Sequence, residues 1–75
     1  MKNNVKAIRG IKGLTQEELA QLLGVSRQTV ISIESSRYIP STVLSLKISK
    51  FLNMNVEELF ELEESDFDSK SSKSS

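Results

Sequence analysis

Arg27 and Gln28 stand side by side directly after Ser26, and Ser32 follows one helical turn beyond Gln28. A guanidinium can donate two hydrogen bonds to O6 and N7 of guanine, and a carboxamide can pair bidentately with N6 and N7 of adenine. Donors spaced in this way share one face of a helix. They therefore have the chemistry to read base edges in a DNA major groove, although a solvated polar face is the plainer reading. Gln16 falls at the start of another helical pattern, where free N–H groups and the positive dipole end suit a phosphate. Ser35, Ser36 and Arg37 bring further donors of the kind that grip phosphate oxygens and fix register without reading sequence. For the two serines a solvated loop serves nearly as well.

Other chemistries find little support. The chain has no histidine and no cysteine, so it lacks the usual base near neutral pH and the common soft metal ligands. It carries no glycine-rich phosphate loop. Most of its acids fall in first helical turns, where dipole effects account for them, or in the tail. An enzyme, a metal site, a cofactor and a small-molecule ligand are all outside expectation. Formal net charge is zero over 75 residues, but the balance is uneven. Residues 1–62 carry eight Lys or Arg against six Glu, and residues 63–75 carry four acids against two lysines. A mildly basic body with few cations implies modest non-specific affinity for nucleic acid. Absence of cysteine fits a reducing compartment. No run approaches the roughly 20 apolar residues of a membrane span, and the first ten residues lack a signal-peptide core. The expectation is a cytoplasmic protein with no membrane partner.

The elements that must position these side chains follow from apolar spacing and capping residues. Val5, Ile8 and Ile11 recur every third position and predict a helix over 4–12, capped by Asn3 or Asn4 and ended by Gly13. Thr15 three residues before Glu18 is a capping-box signature for a second helix, with Leu19, Ala20 and Leu23 inward and Gly24 as terminator. Ser26 caps a third helix with Val30 and Ile33 inward. Two helices joined by so short a glycine-containing turn form a helix-turn-helix signal. Pro40 biases Ile39 away from helix. Ser41 then caps a fourth helix to about residue 52, with Leu44, Ile48 and either Phe51 or Leu52 inward. Asn55 and Glu58 repeat the capping-box pattern for a short fifth helix over 56–62. The domain is thus expected over residues 1–63, with 64–75 a disordered polar tail.

The stretch TQEELAQLLGVSRQTVISIE resembles the helix-turn-helix of phage repressor and Cro-type transcriptional regulators. The flanks VKAIRGIKGL and YIPSTVLSLKISKFLNMNVEELFEL extend the likeness to helices 1, 4 and 5, over residues 4–62. The resemblance implies an all-α, compact five-helix domain of the lambda-repressor-like type, whose helices 2 and 3 form the motif. It implies sequence-specific binding of double-stranded DNA by a small transcriptional regulator, acting as a homodimer on a pseudo-palindromic operator, with repression the expected outcome. Under it Gln16 contacts a phosphate and braces the reading helix, and Arg27, Gln28 and Ser32 face base edges. Thr29 sits near the backbone or a thymine methyl, and Arg9 and Glu34 form a structural ion pair. Ser36 departs from the family pattern, which usually has glycine there, and this puts the loop geometry in question.

Ile31 is left with two placements, against a thymine methyl or over helix 4. Of the apolar surplus near the end, Met54, Val56 and Phe60 are candidates for a dimer interface, with a core role also open to Phe60. Dimerisation makes physical sense because one short helix reads few base pairs. The competing reading is a protein-interaction module, such as an antitoxin-like or anti-repressor partner with the same fold. The polar, donor-rich face of helix 3 speaks against it, since protein-binding faces favour aromatic and aliphatic anchors.

Overall fold

A computed structural model describes residues 1–67. Five helices carry the fold: α1 (Val5–Ile11), α2 (Gln16–Leu23), α3 (Arg27–Glu34), α4 (Thr42–Leu52) and α5 (Val56–Leu59). The starts of α2, α3 and α4 and the end of α2 are set by the residues that the sequence marks. The Thr15 hydroxyl accepts the Glu18 N–H at 3.0 Å, and the Glu18 carboxylate accepts the Thr15 N–H at 2.8 Å. Ser26 and Ser41 accept from the N–H groups of Thr29 and Leu44, each at 3.1 Å. Each bond satisfies a donor that the first helical turn leaves without a partner. Gly24 closes α2 at φ 75°, and Asn53 closes α4 at φ 57°.

The helices enclose one core. Leu19 and Leu23 of α2, Val30 and Ile33 of α3, Ile48 and Leu52 of α4, Leu59 of α5 and Val5 of α1 are fully buried. Ala20, Leu44 and Phe60 complete this cluster. The fold also places two apolar positions that the sequence leaves open. Ile11 is 78% exposed because α1 stops there, and at α4 it is Leu52 that turns inward while Phe51 stays on the surface. Lys47 has a structural task as well, since its Nζ donates to the Leu23 carbonyl at 2.9 Å and satisfies the end of α2.

The ends of the domain depart from the sequence expectation. α5 stops at Leu59 rather than near residue 62, and the chain continues as an extended segment. Strand β1 (Lys2–Asn3) pairs antiparallel with β2 (Phe60–Glu61). Phe60 and Glu61 lie beside the opening residues, and the ladder supplies their backbone partners in place of a further helical turn. Glu64–Phe67 form a 3-10 turn, which corrects the disordered reading for these four residues. Asp66 accepts the Glu63 N–H at 2.7 Å, and the Met1 ammonium lies 2.9 Å from Glu63 and 3.2 Å from Asp66. The Glu63 N–H and then the ammonium hold the Asp66 carboxyl below its usual range, while Glu63 and then Asp66 raise the amino group. The rest of the expected disordered tail, 68–75, lies outside the described residues. Among the described residues no helix is long and apolar enough to cross a membrane.

Candidate nucleic-acid interface

Helix α3 has two faces. Val30 and Ile33 enter the core. Arg27, Gln28, Ile31, Ser32 and Ser35 recur at spacings of three and four and so form a ridge pointing the other way. Arg27, Gln28 and Ser35 are exposed, and Ile31 and Ser32 are half-buried along its flanks. A trough runs on each side. One, of about 430 Å³, is lined by Val25, Ser26, Gln28, Thr29, Ser32, Tyr38 and Leu44. The other, of about 180 Å³, is lined by Lys6, Gln16, Ile31, Glu34 and Ser35. Ile31 therefore faces α1 and the start of α2. It does not cover α4, whose Leu44 lines the opposite trough.

The ridge is held by a hydrogen-bond network under its C-terminal end. Arg9 Nε lies 2.6 Å from Glu34 Oε2 and Arg9 Nη2 lies 3.3 Å from Oε1. These side chains are only 13% and 4% exposed. Arg9 Nη1 also donates to the Leu14 carbonyl at 2.7 Å, and Gln16 Nε2 donates to Glu34 Oε1 at 3.0 Å. Four hydrogen bonds thus tie α1, the α1–α2 turn, the start of α2 and the end of α3 into one unit. Gln16 still has one amide hydrogen and its carbonyl oxygen available, and it stands at the first turn of α2.

At the other end Ser26 caps α3, and its hydroxyl lies 3.0 Å from that of Thr29. The Thr29 hydroxyl is therefore engaged locally, beside the larger trough. After α3 the Ser35 hydroxyl donates to the Ser32 carbonyl at 3.2 Å, so its hydrogen is committed within the chain. Ser36 adopts φ 64°, the left-handed conformation that glycine fits best. Asn3 holds this turn, donating to the Ile33 carbonyl at 2.8 Å and standing 3.4 Å from Ser36 Oγ. Arg37 is exposed beyond it, with its N–H on the Ser32 carbonyl at 2.9 Å.

The fold thus gathers Arg27, Gln28, Ser32 and Thr29 on or beside one ridge, with Gln16 on its flank and Ser36 and Arg37 past its end. Lys6, Tyr38 and Asn3 join the same surroundings. Lys6 stands in the sequence among several solubility lysines, and with Lys47 it is one of two whose reach to a DNA backbone depends on how the domain turns them. Asn3 is marked in the sequence only as a possible helix cap, and its bond to Ile33, thirty residues on, leaves no local signal. Of the three expected dimer positions, Phe60 is 8% exposed and belongs to the core of its own chain, because β2 turns it inward. Met54 and Val56 are half-buried and pack on the rim of that core. Among the described residues no cluster of acids could hold a metal ion.

Comparison with known proteins agrees with this architecture. Residues 5–59 match the family described as helix-turn-helix. An uncharacterized HTH-type transcriptional regulator of Methanocaldococcus jannaschii is 52% identical over 60 residues, spanning 80% of this chain and 91% of that protein. Another from Bacillus subtilis is 50% identical over 64 residues, spanning 85% and 97%. Among solved structures, the restriction-modification controller protein C.AhdI of Aeromonas hydrophila superposes with a TM-score of 0.69 at 38% identity, covering 75% of this chain and 85% of the other. The family match spans α1 to α5 and includes every residue of the ridge, so this chain belongs to the helix-turn-helix family of DNA-binding transcriptional regulators.

Proposed function

We propose that this regulator binds a specific double-stranded operator as a homodimer and represses by occupying it, in the cytoplasm. The observation that carries the reading is the α3 ridge between its two troughs. A helix in a major groove has a phosphate backbone on either side. Here the ridge offers Arg27, Gln28 and Ser32 to base edges, and the smaller trough offers Lys6 and the free amide hydrogen of Gln16 to one backbone. Arg37 and the Ser36 hydroxyl offer further phosphate donors. Ser35 is a weaker candidate, since its hydrogen is already bonded within the chain.

Eight residues of α3 extend only about 12 Å, enough for a few base pairs. Two copies on half-sites one turn apart multiply that information. Met54 and Val56, on the rim of the core, are the positions we assign to the seam between copies. Repression is the outcome that the family resemblance suggests.

The test is a selection of random duplex DNA against the purified protein, followed by titration of the enriched site with wild type and Arg27→Ala at fixed salt. The expected result is a two-fold symmetric site with half-sites about 10 base pairs apart. Arg27→Ala should lose about 1–3 kcal/mol, concentrated at one base-pair position of each half-site. Absence of any enriched site, or a site that Arg27→Ala binds as well as wild type, overturns the reading and leaves protein interaction as the better account.

A further inference from the structure

Ile31 is the one aliphatic residue on the outward ridge of α3. It lies four positions after Arg27 and three after Gln28, and four before Ser35. The other residues lining its trough are Lys6, Gln16, Glu34 and Ser35, all polar, so no second aliphatic or aromatic side chain lines that trough. It is half-buried and takes no part in the core cluster. A β-branched residue at such a surface position is also a poorer helix former than alanine. Packing of the core does not account for it.

A base-edge partner does. In the major groove the base edges present donors, acceptors and a single apolar group, the 5-methyl of thymine. With Gln16 and Lys6 flanking it toward one phosphate backbone, Ile31 faces the bases nearest that backbone. We propose that Ile31 is a specificity-determining residue that selects thymine through its 5-methyl group. This rests on the operator-binding reading and deepens it, adding an apolar contact to the hydrogen-bonding readout by Arg27 and Gln28.

The experiment uses the enriched site and replaces each thymine in turn by deoxyuridine. That exchange removes the methyl and keeps every hydrogen-bonding group. Wild type, Ile31→Val and Ile31→Ala are titrated at one salt concentration, and the readout is the affinity ratio between the thymine and deoxyuridine duplexes. For wild type one position per half-site should show a ratio of about three to five, the worth of one buried methyl. Ile31→Val should keep most of that ratio, and Ile31→Ala should bring it to about one. Since Ile31 lies outside the core, both variants should keep the helical circular dichroism of wild type. The inference is overturned if no thymine position is sensitive, or if the full ratio survives in Ile31→Ala, even when overall affinity falls. Failure to enrich any site is the distinct result that removes the operator reading and this contact with it.

Discussion

Ser36 carries a backbone angle that costs an L-residue about 1–2 kcal/mol, and it does so at the exit of α3. Asn3 is what sustains it. One carboxamide hydrogen reaches the Ile33 carbonyl, Ser36 Oγ lies within its range, and its oxygen accepts the Val5 N–H at 3.1 Å. The turn that glycine would adopt freely is thus imposed by a side chain from the opposite end of the sequence. Ser36→Gly should relieve the angle and raise stability by roughly 0.5–1 kcal/mol, after allowing for the greater freedom of glycine in the unfolded chain. Urea denaturation measures this directly. A midpoint that stays or falls would mean that the Asn3–Ser36 contact outweighs the angle.

Among the elements, α3 depends on its neighbours for orientation through Glu34. The carboxylate accepts from Arg9 and Gln16 at once, so losing it leaves an arginine with little water access and no countercharge. Glu34→Ala should cost about 3–5 kcal/mol, whereas replacing Arg9 and Glu34 together by apolar residues of similar size should cost much less than the sum of the single changes. Thermal melts of the two single variants and the double variant decide this, and additive losses would show that the pair is not coupled. Much of this arrangement is legible in the sequence because helix ends announce themselves locally. Thr15 with Glu18, Ser26, Ser41 and Gly24 each act within four residues of their own position. The outward ridge proposed to read DNA follows from the same periodicity, once Val30 and Ile33 fix which side of α3 is inward. What was not legible depends on distant partners. The β1–β2 ladder joins residues 2–3 to 60–61, and this withdraws Phe60 from the surface and shortens α5. Asn3 under Ser36, Lys47 on the Leu23 carbonyl and the side on which Ile31 falls likewise depend on how the helices meet.

At the scale of the whole molecule, charge is sorted along the chain. Residues 1–40 carry six Lys or Arg against three Glu, and residues 56–67 carry six acids with no Lys or Arg. The ridge of α3 and its flanking cations belong to the first group, so the acidic end is best tolerated away from a polyanion. Few cations are in position to neutralise phosphates, and the salt dependence of binding should be correspondingly shallow. Arg37→Ala should weaken binding about equally on all sequences and reduce the slope of log affinity against log salt by about one unit per subunit. An unchanged slope, measured from 50 to 200 mM salt, would remove Arg37 from the phosphate contacts. The division of α3 into a supporting face and an outward ridge bears on how such a protein can diverge. Val30, Ile33 and Glu34 are tied to the core and to the Arg9 network, while Arg27, Gln28, Ile31 and Ser32 lend their side chains to neither. Under the operator-binding proposal, substitutions on the ridge would change the sequence that is read and leave the fold as it is, so one scaffold could serve many separate genetic circuits.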